Sequence, residues 1–106
     1  MGPHLATIRA MGHLANTYGS LGKYADGEKL QMKVLDMRNR LLREDHPDTI
    51  KALNDVAVLY FRQGKYADAE ELQMKVLDMR NRLLGEDHPD TISTINNLAN
   101  SCWSLG

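Results

Sequence analysis

Residues 23–50 read KYADGEKLQMKVLDMRNRLLREDHPDTI, and residues 65–92 read KYADAEELQMKVLDMRNRLLGEDHPDTI. The two segments align without a gap at an offset of 42 residues. They differ at three positions, where Gly27, Lys29 and Arg43 correspond to Ala69, Glu71 and Gly85. A fixed period of about 20–50 residues is typical of repeat arrays, in which each unit buries its apolar face by stacking on its neighbours. We therefore expect a solenoid whose function lies on a repeated surface.

The remaining residues continue the same repeat. Thr7, Ile8, Ala15 and Gly22 occupy the positions of Thr49, Ile50, Ala57 and Gly64 in the next repeat, and Gly106 ends the chain at the same position. The 106 residues therefore contain two and a half repeats. We expect one domain over residues 1–106, cut from a longer array, with the opening MGPH as a start or a cloning remnant.

Each repeat is predicted to contain two helices. Apolar residues at Ile50, Leu53, Val56 and Ala57 are three or four positions apart, which places them on one helical face. Gly64 interrupts this pattern, and Pro47 suits a first helical turn because proline lacks the amide proton. The chain is thus predicted to be all-α. Its five helices are expected near residues 5–20, 24–42, 48–62, 66–84 and 90–104.

Composition and charge narrow the function classes. Hydrophobic residues make up 42% of the chain and charged residues 25%, as in ordinary globular domains, and the net charge is −1. This charge provides no basic field for nucleic acid. The sequence lacks a long apolar run or a secretion signal, so we expect no membrane partner. A single cysteine, Cys102, suits a reducing compartment, and a cytoplasmic location is expected.

A family resemblance rests on residues at fixed offsets in the middle repeat. Leu53, Val56, Ala57, Tyr60, Gly64, Tyr66 and Ala69 resemble the tetratricopeptide signature. Tetratricopeptide units usually take about 34 residues, whereas this repeat takes 42 and has an EDHPDT junction similar to the repeats of kinesin light chains. The resemblance implies a right-handed superhelical solenoid of antiparallel helix-turn-helix repeats. It also implies a scaffold that binds proteins or peptides rather than an enzyme.

The resemblance further implies that the first helix of each repeat lines a concave ligand-binding face. Asparagines on this face could hydrogen-bond an extended peptide backbone, and Arg9, Lys51 and Arg62 could hold the carboxylates of an acidic partner. Phe61 and Trp103 are of the type enriched in binding hot spots. The predicted ligand-binding residues are Arg9, Asn16, Lys51, Asn54, Val58, Phe61, Arg62, Ser93, Asn96, Asn100 and Trp103.

The positions at which the repeats differ are concentrated on the first helices, which carry this predicted face. Residues 47–64 and 89–106 match at only 7 of 18 positions, whereas the 28-residue segments that contain the second helices differ at three. A constant frame with a variable inner face suits recognition. The alternative is that a recent duplication made one segment uniform by chance.

Other chemistry has weaker support. The junctions Glu44–Asp48 and Glu86–Asp90 could bridge repeats through zinc or nickel, but each has one histidine, so capping of the next helix by Asp45 or His46 is favoured. No phosphate loop, nucleophile elbow or metalloprotease motif is present, and we expect neither catalysis nor a cofactor. A structural array that self-assembles is the rival function. In this alternative, an apolar stripe of Ile95, Leu98 and Cys102 contacts another copy.

Three expectations concern the core. The methionines Met32, Met37, Met74 and Met79 are interpreted as core filling, and Cys102 as inert packing. Because glycine within a helix costs about 1 kcal/mol relative to alanine, the change Gly27→Ala is expected to stabilise the first repeat.

Overall fold

The computed structural model describes residues 5–105, and it folds them into five α-helices. These are α1 (Leu5–Ser20), α2 (Tyr24–Leu41), α3 (Pro47–Arg62), α4 (Tyr66–Leu84) and α5 (Pro89–Leu105). We call α1, α3 and α5 the first helices, and α2 and α4 the second helices. Their bounds lie within one residue of the expected ranges, and no strand is present between residues 5 and 105. The predicted all-α architecture is confirmed.

Local sequence explains where the helices end. Gly22 and Gly64 connect a first helix to a second helix, and both have positive φ angles, 80° and 81°. Glycine adopts this conformation without the steric cost that a Cβ atom brings. Gly85 has φ 92° and follows α4, whereas Arg43 occupies the equivalent position after α2. Accordingly α2 ends at Leu41, one residue earlier within its repeat than α4 does. The residue at its C-cap has an extended backbone conformation.

The helices stack in chain order. Each helix packs against the next one along the chain, and α1 also reaches α3. Two buried clusters mark the successive layers. Ile8, Val34 and Ala52 join α1, α2 and α3, and Ile50, Leu53 and Val76 join α3 to α4. The stack is elongated, with extents of 46 × 32 × 18 Å.

The central helix α3 is covered on two sides. Ala52 is fully buried in the cluster with α1 and α2, whereas Ile50 and Leu53 lie in the cluster with α4. Its buried residues are Thr49, Ile50, Ala52, Leu53, Val56, Ala57 and Leu59. Such two-sided burial is the packing that a repeat array requires of an internal helix.

The last helix, α5, is covered on one side only. Thr91, Thr94 and Ser101 are fully buried, and they stand at the positions of Thr49, Ala52 and Leu59. In contrast Ile92 and Ile95, the counterparts of Ile50 and Leu53, are each 46% exposed.

Cys102 is also exposed, so its interpretation as inert packing was wrong.

Close contact between α1 and α2 depends on Gly27. A Cβ atom at this position would lie 2.9 Å from the backbone oxygen of Ala15 and 3.4 Å from the nitrogen of Gly19. Real Cβ atoms essentially never come this close, and a backbone atom cannot yield as a flexible side chain can. Gly27→Ala is therefore expected to destabilise the protein, contrary to the prediction from helix propensity. Helix propensity takes no account of atoms on the neighbouring helix.

The methionines do not form one core stripe. Met32 and Met74 are 46% and 56% exposed, whereas Met37 and Met79 are half-buried beside the core clusters. The first member of each pair is five residues before the second, and five residues correspond to about 140° around a helix. The two methionines of a pair therefore lie on different sides of their helix, and the core interpretation was wrong for Met32 and Met74.

Glu28 makes a polar link between the first and second repeats. Gln63 Nε2 donates to Glu28 Oε2 at 2.9 Å, and Lys65 Nζ is 3.6 Å from the same oxygen. Burial, followed by the charges of Glu28 and Asp68, raises the pKa of the Tyr60 phenol, whose hydroxyl is also hydrogen-bonded to Glu28. The phenol thus stays protonated at neutral pH. Through its contacts with Gln63 and Lys65, Glu28 links α2 to the turn between α3 and α4.

Gly27→Ala is predicted to lower the free energy of unfolding. Overpacking typically costs about 1–3 kcal/mol, which exceeds the gain of about 1 kcal/mol in helix propensity. Gly12→Ala is the matched control, because a Cβ atom at Gly12 in α1 would meet nothing within 4 Å. Urea titration should show Gly12→Ala stabilised by up to about 1 kcal/mol. Equal stabilisation of both variants would contradict the close contact.

Candidate interaction site

A pocket opens between α3 and α5 over a residue of α4. Its volume is about 170 Å³. Val58, Phe61 and Arg62 of α3 form one side, Asn97 and Asn100 of α5 form the other, and Gln73 of α4 completes the lining. We call the surface that carries Asn16, Val58, Arg62 and Asn100 the first-helix face.

The predicted ligand-binding residues lie on the first helices with varied exposure. Arg9, Asn16, Lys51, Arg62, Ser93, Asn96, Asn100 and Trp103 are exposed, and Asn54, Val58 and Phe61 are half-buried. The pocket brings together four of these eleven residues, namely Val58, Phe61, Arg62 and Asn100. The other seven lie outside its lining. The assignment of all eleven to a binding face remains a prediction.

Two aromatic residues on the predicted face differ in their surroundings. The ring of Phe61 packs edge-on against Tyr66, with a centroid distance of 5.1 Å and an interplanar angle of 66°. This geometry is favourable for aromatic pairs and fixes the pocket wall. Trp103 is 87% exposed, so most of its ring is available for contact.

Charged side chains of α3 are held differently. Lys51 Nζ is 3.4 Å from Asp55 Oδ2 within the same helix. The Arg62 guanidinium reaches toward α1, where its Nη1 is 3.5 Å from the position that a Cβ atom of Gly19 would take. Arg62 thus lines the pocket while its charged group lies near the neighbouring first helix.

Each EDHPD junction is a helix cap. The Nδ1 atom of His46 accepts a hydrogen bond from the Asp48 amide at 3.0 Å, and His88 accepts one from the Asp90 amide at 3.1 Å. Arg38 of α2 donates to the Asp48 carbonyl oxygen at 2.7 Å, and Arg80 repeats this contact with Asp90. The favoured capping interpretation is confirmed, with His46 as the capping residue.

Neither a metal-binding cluster nor a membrane-spanning helix is found between residues 5 and 105. Between residues 5 and 105, no group of three or more His, Cys, Asp or Glu side chains is arranged to hold a metal ion. Nor is any helix in this range both long and apolar enough to cross a bilayer.

Sequence reasoning missed Gln73, Asn97 and Ser101. Gln73 is 1% exposed and accepts a hydrogen bond at 2.7 Å from the hydroxyl of Ser101 on α5. Asn97 lines the pocket on the same helix. One signal was present in the sequence, because a glutamine recurs at Gln31 and Gln73 within the otherwise apolar face of the second helices.

His46→Ala is predicted to reduce stability by about 1 kcal/mol, the usual cost of losing a side-chain cap. His46→Asn should recover most of this loss, because asparagine is a favoured N-cap residue. His13→Ala is the control, since His13 is exposed within α1. Thermal melting measures all three variants, and equal melting temperatures for His46→Ala and His13→Ala would contradict the capping role.

Comparison with known proteins identifies the family. A family model for the tetratricopeptide repeat matches residues 6–82 and 50–106. No curated protein matches the sequence significantly. Two crystal structures of a Podosopora anserina protein, described as a candidate kinesin light chain with nearly identical TPR-like repeats, are similar in fold.

Both crystal structures have a TM-score of 0.87 and 24% identity to this chain. The matches cover 99% and 100% of this chain but 50% of each of those chains, so this chain spans half their length. At this identity, the likeness to the crystal structures shows the fold alone. The family-model match spans nearly the whole sequence, and the chain belongs to the tetratricopeptide repeat family.

Proposed function

We propose that the chain is a protein-interaction scaffold that binds an extended peptide segment along its first-helix face. Tetratricopeptide repeats generally mediate protein–protein interactions, and the fold is typical of scaffolds rather than enzymes. The pocket between α3 and α5 is the observation that carries this proposal, since it lies among residues that the sequence assigned to binding.

The polarity of the face suits a peptide with acidic side chains. Arg9, Lys51 and Arg62 are exposed on the first helices and can attract carboxylates. Exposed Asn96 and Asn100 supply donors and acceptors for a peptide backbone. The exposed ring of Trp103 and the Phe61 wall supply the apolar contact area that commonly dominates binding energy.

Charge reversal tests this function. Extended acidic peptides selected from a random library for binding to the chain serve as ligands, and calorimetry measures their affinity. The double variant Lys51→Glu, Arg62→Glu is predicted to weaken binding at least tenfold, or about 1.4 kcal/mol. Its melting should change little, because exposed substitutions usually alter stability by less than about 0.5 kcal/mol.

The matched control is Lys33→Glu with Lys75→Glu, which makes the same change in net charge on exposed positions of the second helices. This control should bind as wild type does. Equal loss of affinity in both double variants would show that net charge alone governs binding, and it would contradict the assigned face. A large loss of stability in the first double variant would show that the face is buried.

Self-association is a second candidate function, favoured by the open side of α5. Ile92 and Ile95 are each 46% exposed, and Cys102 and Ala99 are exposed beside them. At about 25 cal/mol per Å², burial of a few hundred Å² of apolar surface would contribute several kcal/mol before the entropy cost of association is deducted. A second copy could cover this side by stacking or by exchange of a helix.

The chain is predicted to associate as its concentration rises toward the millimolar range. Light scattering under reducing conditions measures the assembly, and the reductant prevents linkage through Cys102. Ile95→Lys should yield monomers, whereas Ser93→Lys, also at an exposed position of α5, should associate as wild type does. A wild-type monomer at millimolar concentration would rule out this candidate.

A further inference from the structure

Two buried glutamines occupy the same position in successive repeats. Gln31 on α2 and Gln73 on α4 are each 1% exposed. Burying a carboxamide is costly unless it forms hydrogen bonds, and most buried polar side chains in proteins therefore have partners. What each glutamine bonds to reveals how the two repeats differ.

In the first repeat, the buried glutamine forms a hydrogen bond with a side chain of the preceding first helix. Gln31 Nε2 donates to Asn16 Oδ1 on α1 at 3.1 Å. The counterpart of Asn16 in the next repeat is Val58 on α3, which cannot accept a hydrogen bond. The second repeat therefore has an apolar side chain at the position where the first repeat has the hydrogen-bond acceptor of Gln31.

Gln73 has a different partner. Ser101 Oγ on α5 donates to Gln73 Oε1 at 2.7 Å, and the counterpart of Ser101 in the previous repeat is Leu59. Within residues 5–105, the Gln73 carboxamide forms one side-chain hydrogen bond, and that bond uses its oxygen. The Nε2 protons therefore remain available to a ligand. Gln73 lines the pocket between α3 and α5, so its free donor is reached from the first-helix face.

We propose that this pocket is a subsite for the side-chain carboxamide of an asparagine or glutamine in a bound peptide. The ligand oxygen accepts from Gln73 Nε2 and thus takes the role that Asn16 Oδ1 has toward Gln31 in the first repeat. The subsite rests on the proposed function, since the peptide that delivers the side chain lies on the first-helix face. A side chain is required because Gln73 is buried below the surface along which a peptide backbone would run.

The lining favours a neutral carboxamide over the alternatives. Asn97 and Asn100 offer carbonyl oxygens to the ligand's amide protons, whereas a carboxylate has no protons to donate. An apolar side chain would cover Gln73 Nε2 without bonding it, and sites built for hydrogen bonding reject such ligands strongly. The volume of about 170 Å³ is ample for an asparagine or glutamine head group.

The test uses short peptides of defined sequence on the full chain. The probe is acetyl-Ala-Asn-Ala-amide, and acetyl-Ala-Leu-Ala-amide and acetyl-Ala-Asp-Ala-amide have the same backbone without a carboxamide. Nuclear magnetic resonance follows the side-chain amide signal of Gln73 in nitrogen-15-labelled protein. The Asn probe should shift this signal with a dissociation constant on the order of millimolar, as expected for so small a ligand. The Leu and Asp peptides should bind at least about fivefold more weakly.

Val58→Asn is the decisive variant, because it recreates above Gln73 the arrangement that Asn16 makes above Gln31. It should abolish the Gln73 response to the Asn probe, whereas Glu71→Asn, which places the same side chain at an exposed position of α4 outside the pocket lining, should retain it. Gln73→Met removes the donor at similar side-chain length and should erase the preference for Asn over Leu, as followed by the backbone amides of Asn97 and Asn100. This second variant decides the matter if Val58→Asn does not fold.

Two results would overturn the subsite. One is equal binding of the Asn and Leu peptides to wild type, and the other is a preference for Asn that survives Gln73→Met. Neither result bears on the scaffold function, which the charge-reversal experiment tests independently. If acidic peptides bind the first-helix face while the Asn probe shows no preference, the function stands and the carboxamide subsite fails.

Discussion

The structure depends on the burial of its central helix, α3, on two sides. In α3, Ala52 packs toward α2 while Ile50 and Leu53 pack toward α4, so neither side alone would bury the helix. In proteins, tertiary burial of an apolar helix face supplies most of the stability of the helix. In the proposed function, the ligand contacts the side of each first helix that the stack leaves uncovered.

Two-sided packing leaves only a narrow strip of a first helix for a ligand. On α3 this strip carries Lys51, Asn54, Val58 and Arg62, which are exposed or half-buried between the two covered sides. The second helices instead must fit a first helix on either side, which agrees with their near identity between repeats. In the proposed function, the residues that vary between repeats therefore lie mainly on the uncovered strip of the first helices.

Much of this fold could be predicted because each repeat contains residues that mark where its helices start and end. Pro47, Gly64 and their counterparts mark helix starts and turns, and each is interpreted from local backbone chemistry alone. The errors arose where the outcome depended on a neighbouring helix. Gly27 was judged by propensity, yet the Ala15 backbone oxygen decides its effect. Cys102 was judged by its repeat position, yet the side of α5 that contains it is uncovered.

The candidate site was predictable in part for the same reason. The family resemblance indicated the strip of first-helix residues, four of which line the pocket, but it could not indicate the floor. The floor is Gln73 of α4, whose hydrogen-bond partner Ser101 of α5 is 28 residues away and meets it only in the folded stack. Periodicity assigns residues to a face of their own helix, and it does not tell which polar groups of two different helices become partners.

The buried glutamines show how a nearly invariant frame can present the same side chain to different partners. Gln31 and Gln73 are identical and equally buried, so the frame presents the same carboxamide in both repeats. The neighbouring first helices decide its use, through Asn16 in one repeat and Ser101 in the other. Because each carboxamide has more hydrogen-bonding capacity than one neighbour satisfies, a change on the variable helix redirects it without altering the second helix. A repeat array can therefore diversify its surface by exchanging the partners of a constant buried group, while the packing that holds the stack together stays the same.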